Sequence, residues 1–98
     1  MRRGTTPTNT FDVDVDLRQA SVIYITYSHL GKTVVEKEIN DITIEENTLT
    51  VELTQEETLA FPKGEIEIQI RAWFPEGLAI ASNIIKTTAS RILKEGVI

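Results

Sequence analysis

Apolar and polar residues alternate through two stretches of the segment Thr48–Phe74. Ile66, Ile68, Ile70, Ala72 and Phe74 interleave with Glu65, Glu67, Gln69, Arg71 and Trp73, the period of two that predicts a half-buried strand. Thr48–Leu53 carries the other. Between them, Thr54 stands three places before Glu57 in the form of a capping box, and Glu56 and Glu57 suit the positive end of a helix. Pro62 and Gly64 limit that helix to about one turn, near residues 55–60. Leu59 and Phe61 are expected to close the bottom of the core.

The same alternation sets Phe11, Val13, Val15 and Leu17 against Asp12, Asp14 and Asp16 and predicts a first strand with one acidic face. Its expected partner is Ser21–Ser28. This run is apolar on both faces, Val22 and Tyr24 on one and Ile23, Ile25 and Tyr27 on the other, as in a central strand. His29–Lys32 reads as a hairpin turn in which Gly31 supplies the positive φ, and Thr33–Lys37 returns. Asn40-Asp41 breaks the pattern. Ile42–Glu45 and Thr48–Leu53 form a hairpin around Glu46-Asn47. After Pro75-Glu76-Gly77, Leu78–Ile80 opens a strand that Ala81-Ser82-Asn83 interrupts and Ile84–Ser90 continues. Residues 1–9, with Gly4 and Pro7, read as a flexible lead-in, and residues 91–98 as a tail, open to strand or helical turn. About seven or eight short strands at this spacing predict an all-β chain. The expected architecture is an immunoglobulin-like β-sandwich of antiparallel strands, with residues 10–98 as one domain.

Composition narrows the function classes. A chain of 98 residues can bury one core without staples. There is no cysteine, which removes disulfides and thiolate metal sites. The formal charge of −5 repels phosphate backbones, so no nucleic-acid partner is expected. No apolar run approaches the roughly 18 residues of a membrane span. The opening MRRGTTPTNT has no hydrophobic stretch behind it, so no signal peptide is expected.

Candidate chemistry is thin. His29 is the sole histidine; with only Ser28 beside it and no orienting acid, it reads as a solvent-exposed turn residue. Asp12, Asp14 and Asp16 resemble the start of a calcium loop, but Leu17 and Ile23 stand where that loop needs Gly and Glu. They read instead as a solvated strand face with carboxylates about 7 Å apart. Glu45-Glu46 and Glu56-Glu57 are neighbours on turns, which do not face each other across a cleft as glycosidase acids must. No phosphate-binding glycine loop or nucleophile elbow is present. The chain is therefore expected to be no enzyme, with no catalytic residue, cofactor or metal. Trp73 stands out: if the isoleucines face the core, it faces outward with Arg71, and both residue types anchor interfaces. Tyr24 or Tyr27 must lie on an outer face too. Arg71, Trp73, Tyr24 and Tyr27 are the candidate interaction surface. The competing reading puts Trp73 under a loop or stacked on Arg71.

Several segments carry a family resemblance: Arg3-Gly4-Thr5-Thr6-Pro7-Thr8, Gly31-Lys32-Thr33-Val34 with Glu36-Lys37, Leu53-Thr54-Gln55-Glu56-Glu57-Thr58-Leu59, Ile68-Gln69-Ile70-Arg71, Ala81-Ser82-Asn83 and Arg91–Ile98. Through them nearly the whole chain resembles a family of small structural proteins encoded in prophages of Gram-positive bacteria. More loosely, it is similar to the N-terminal domains of phage baseplate upper proteins. The resemblance implies a non-enzymatic virion protein of the tail or baseplate whose partners are other phage structural proteins or itself. With no signal peptide or membrane span in the reading, synthesis in the bacterial cytoplasm is expected. It carries no functional residues over. The alternative is a carbohydrate-binding module that uses its outward aromatics to recognise cell-surface glycans.

Overall fold

The computed structural model describes residues 1–98. Eight strands form two antiparallel sheets. The first sheet has the order β1 (Thr8–Asp12), β5 (Thr48–Glu52), β4 (Thr43–Glu45). The second runs β3 (Lys32–Glu38), β2 (Val22–His29), β6 (Gly64–Trp73), and the far edge of β6 is shared by β7 (Ala79–Ala81) and β8 (Ile85–Ala89). Taken as strands B, E, D and C′, C, F, G, this is the order of an immunoglobulin-like sandwich without strand A. The hallmark disulfide of antibody domains cannot form here, and the single tryptophan stands on an outer face rather than in the core.

The alternation seen in the sequence decides which side chains meet. Ile23, Ile25 and Tyr27 of β2 and Ile66, Ile68, Ile70 and Ala72 of β6 point inward, against Phe11, Leu49 and Val51 of the first sheet. β2 is central, with β3 on one side and β6 on the other. Leu30 and Gly31 close the β2–β3 hairpin with φ of 49° and 80°, the two positive values of the turn whose twist matches paired strands. The helical turn α1 (Gln55–Leu59) is capped as predicted: Thr54 Oγ1 accepts from Glu57 N, and Glu57 accepts from Thr54 N. Phe61 fills the base of the core and meets Tyr27 at a ring separation of 5.8 Å. Leu59 is only half-buried; the side chain of this turn that is fully enclosed is Thr58, whose hydroxyl donates to Thr5 O.

The first strand differs from its prediction. β1 covers Thr8–Asp12, not 11–17, and pairs with β5, not with Ser21–Ser28. β5 begins at Thr48, opposite Asp12, so beyond Asp12 no strand backbone is left to pair with. The Glu46-Asn47 turn holds the next residues instead: Asn47 O accepts from Val13 N, and Glu46 O from Leu17 N. Leu17 is buried, Val15 is exposed, and Asp14 and Asp16 lie in the loop, so the three aspartates share no strand face. Asp16 instead pairs with Arg18 at 2.6 Å.

The ends of the chain are laid against the sandwich. The sequence reads as a flexible lead-in over residues 1–9; in the structure Arg2 bridges Ser90 in parallel, and Thr8 and Asn9 belong to β1. Arg3 donates to Leu59 O at 2.8 Å and Phe61 O at 2.7 Å, satisfying carbonyls at the end of α1. Residues 91–98 form neither strand nor helix. The Gln55 side-chain amide holds them through both backbone groups of Ile98.

Candidate interaction face

Strand pairing fixes the outer face of the five-stranded sheet. Val22 of β2 lies opposite Trp73 of β6, which lies opposite Ala79 of β7. One row along, Glu38, Tyr24, Arg71 and Ala81 stand side by side across β3, β2, β6 and β7. Directly opposed side chains sit about 4.5–5.5 Å apart at Cβ, so these rows make one patch. Trp73 is 43% exposed, and Tyr24 and Val22 are each 37% exposed. Val22, Tyr24, Arg71, Ala72 and Trp73 line a shallow hollow of about 140 Å³. Trp73 is exposed on this face, and Arg71 forms neither an ion pair nor a cation–π stack within the chain. Leu78, also exposed, lies next to the patch on the turn into β7.

Arg71 also borders a second depression of about 180 Å³, lined by Thr26, Ser28, Glu67, Gln69 and Ile84. Its cause is a bulge in the edge of β6. Ala81 pairs with Arg71 and Ile85 with Ile68, so three residues of the edge face two of β6. Ser82 repairs the ladder: its N–H donates to Ile70 O, its hydroxyl accepts from Ile70 N, and its carbonyl accepts from Gln69 Nε2. The hydroxyl thus does the work of a main-chain acceptor, and Ile84 turns outward beside the cleft.

Of the four residues expected on an interaction surface, the structure brings Tyr24, Arg71 and Trp73 together and removes Tyr27. Tyr27 points into the core with no exposed surface, and its hydroxyl accepts from Asn9 Nδ2 at 2.7 Å. Burial pushes its phenol above the usual value of 10, with the Asn9 bond opposing and Glu57 adding to the rise. Alternation had already put Tyr24 and Tyr27 on opposite faces; which face looked outward was set by the pairing with β6. Val22 shares the face of Tyr24 by the same alternation, whereas the places of Ala79, Ala81 and Ser82 depend on the register of strands distant in sequence.

Elsewhere, titratable groups are tied into local structure. His29 is half-buried rather than a free turn residue, and its Nδ1 lies 3.0 Å from Glu65 O. The neutral ring then carries its proton on Nδ1. Glu57 sits between Thr54 and Lys37, whose Nζ is 2.8 Å away. Burial alone would raise its pKa; hydrogen bonds from Lys37 and Thr54 outweigh that and hold it below the usual 4.5. Glu45, Glu46 and Glu56 are exposed. No three His, Asp or Glu side chains gather in a metal-binding arrangement, and no helix is long and apolar enough to cross a membrane. No family model, curated protein or solved structure matches this chain.

Proposed function

We propose that this chain is a non-enzymatic assembly protein that works through protein–protein contacts on the outer face of its five-stranded sheet. The observation that carries the reading is the patch of Val22, Tyr24 and Trp73 around an unpaired Arg71. An exposed aromatic group with an uncommitted arginine has the composition of a binding hot spot, and contiguous apolar surface rimmed by polar residues marks contact sites. The resemblance to prophage structural proteins supplies the context, a component of a virion tail or baseplate. The test is mass spectrometry of particles purified from the producing bacterium. The chain is expected in them, and a folded Trp73→Ala variant should be strongly depleted. Absence of the unaltered chain, or full retention of the variant, would sink the reading.

One feature favours carbohydrate binding as a second reading. The cleft beside the patch brings the planar polar groups of Glu67, Gln69 and Arg71 next to Tyr24 and Trp73, and aromatic rings with flanking hydrogen-bonding groups suit sugar rings. Trp73 is the only tryptophan, so its fluorescence reports directly on this surface. A saturable change on titration with cell-wall polysaccharide supports glycan binding; a flat response across glycans removes it.

A further inference from the structure

We propose that β7 pairs edge to edge with β7 of a second copy of this chain, related by a two-fold axis through Ile80. The proposal rests on the reading above, that this face makes protein contacts, and it names the partner and the register.

The second sheet has three edge segments, and two are protected. β3 carries Lys32, Glu36, Lys37 and Glu38, and charges on an edge discourage further pairing. β8 is covered by the chain's own start, where Ser90 N donates to Met1 O and Arg3 N to Ser90 O. β7 reads Ala79-Ile80-Ala81, with no charge, no proline and no covering segment.

The pairing pattern shows which backbone groups of β7 are free. Phe74 N donates to Leu78 O, and Ser82 N to Ile70 O, so the hydrogen-bonded pairs are Phe74 with Leu78 and Ile70 with Ser82. Bonded and non-bonded pairs alternate along an antiparallel ladder. Ile80 therefore bonds inward to Ala72, while the N–H and C=O of Ala79 and Ala81 point away from the sheet. A two-fold axis through Ile80 sets Ala79 of each copy against Ala81 of the other. In that register every outward group of Ala79 and Ala81 on both copies finds a partner.

Side chains on the outer face favour a second copy over an unrelated strand. Trp73 stands in the row of Ala79, and Arg71 in the row of Ala81. The two-fold joins these rows, so Trp73 of one copy and Arg71 of the other flank a pair of alanines, about 14 Å apart at Cα by strand spacing. Both side chains are long, both lack a partner within their own chain, and only methyl groups lie between them. The contact completes in trans the cation–π pair that the single chain leaves unmade. Each copy carries a formal charge of −5, so salt should strengthen the association by screening long-range repulsion.

Analytical ultracentrifugation of the purified chain over a wide concentration range is the first test. A reversible dimer is expected, tighter at high salt. Ala81→Lys, folded by circular dichroism, should raise its dissociation constant at least about tenfold, by setting like charges at the seam. Register is tested by oxidation, since the chain has no cysteine of its own. Opposed Cα atoms at Ile80 lie about 4.5 Å apart, within disulfide reach, so Ile80→Cys should form a covalent dimer. Ala79→Cys, two residues out of register with its own copy, should not. A chain monomeric at every concentration, a dimer indifferent to Ala81→Lys, or equal cross-linking of both cysteine variants overturns the proposal. Loss of Trp73→Ala from particles despite a monomeric chain would then leave the contact reading standing alone; retention would remove both.

Discussion

Asn9 of β1 donates its side-chain amide to the hydroxyl of Tyr27 in β2 at 2.7 Å, a bond that joins the two sheets through the core. Tyr27 is fully enclosed and Asn9 half-exposed. The two ends of the bond are therefore unequal. Asn9→Ala strands a buried hydroxyl and should destabilise the fold by about 1–3 kcal/mol, whereas Tyr27→Phe removes that hydroxyl and leaves an amide water can reach, costing about 1 kcal/mol. Urea denaturation of both single variants and the double variant measures the coupling. A larger loss for Tyr27→Phe than for Asn9→Ala would contradict this account.

The same burial makes stability depend on alkaline pH. The Tyr27 phenol is raised above its ordinary 10.0 in the folded state, chiefly by desolvation. A raised pKa means that the folded chain holds its proton while the unfolded chain releases it. Its contribution is therefore complete below pH 10 and is lost as pH climbs from there through the folded value. Unfolding free energy should fall above pH 10, and Tyr27→Phe should flatten that fall. Equal slopes for both proteins would rule out Tyr27 as the source.

Glu57 produces the opposite dependence at acid pH. Burial raises its pKa, but the Lys37 and Thr54 hydrogen bonds prevail and hold it below 4.5. A lowered pKa contributes stability above that value and loses it as pH falls through the folded pKa. Glu57→Gln keeps an acceptor for Thr54 N but leaves the largely buried Lys37 ammonium without its counter-charge. It should cost about 1–3 kcal/mol at neutral pH and remove part of the stability loss below pH 4.5. Chemical denaturation at neutral and acid pH checks both.

Local signals were the legible ones. The capping box at Thr54, the Leu30-Gly31 turn and the alternation of β6 each depend on a few neighbouring residues, and all appear where the sequence puts them. Tyr24, Arg71 and Trp73 emerged the same way, as the outward set of an alternating pattern. What failed depended on partners distant in the chain. Val13–Leu17 alternates as well as any strand here, but β5 has ended by that point and the pattern has nothing to pair with. Tyr27 and Tyr24 were equal candidates until β6 and the first sheet chose the buried side. Ser82 looked like an interruption, and its bonds to Ile70 and Gln69 exist only across the bulge.

Trp73 and Phe61 separate surface from core. Trp73→Ala removes a side chain that rests on the outside of the sheet and should cost about 1 kcal/mol or less. Phe61→Ala opens a cavity against Tyr27 and should cost about 3–5 kcal/mol. Thermal unfolding of the two variants at a concentration where the chain is monomeric provides the comparison. A Trp73→Ala loss as large as that of Phe61→Ala would place the indole in the packed core and remove it from the contact surface.

Ser82→Ala tests whether the bulge sustains both the fold and the free edge. Without the hydroxyl, Ile70 N faces a bulge whose carbonyl is already committed to Gln69. An unsatisfied, partly buried N–H costs about 1–3 kcal/mol, so the variant should be destabilised by that order. The damage is local, because β8 keeps its own ladder to Gly64–Ile68. Hydrogen exchange should therefore quicken at Ile70 and Ile80, while Ile66 and Ile68 stay protected. Ser82→Thr keeps the hydroxyl and should restore most of the protection. Uniform quickening along all of β6, or no change at Ile70, would show that the Ser82 hydroxyl is not what holds β7 to the sheet.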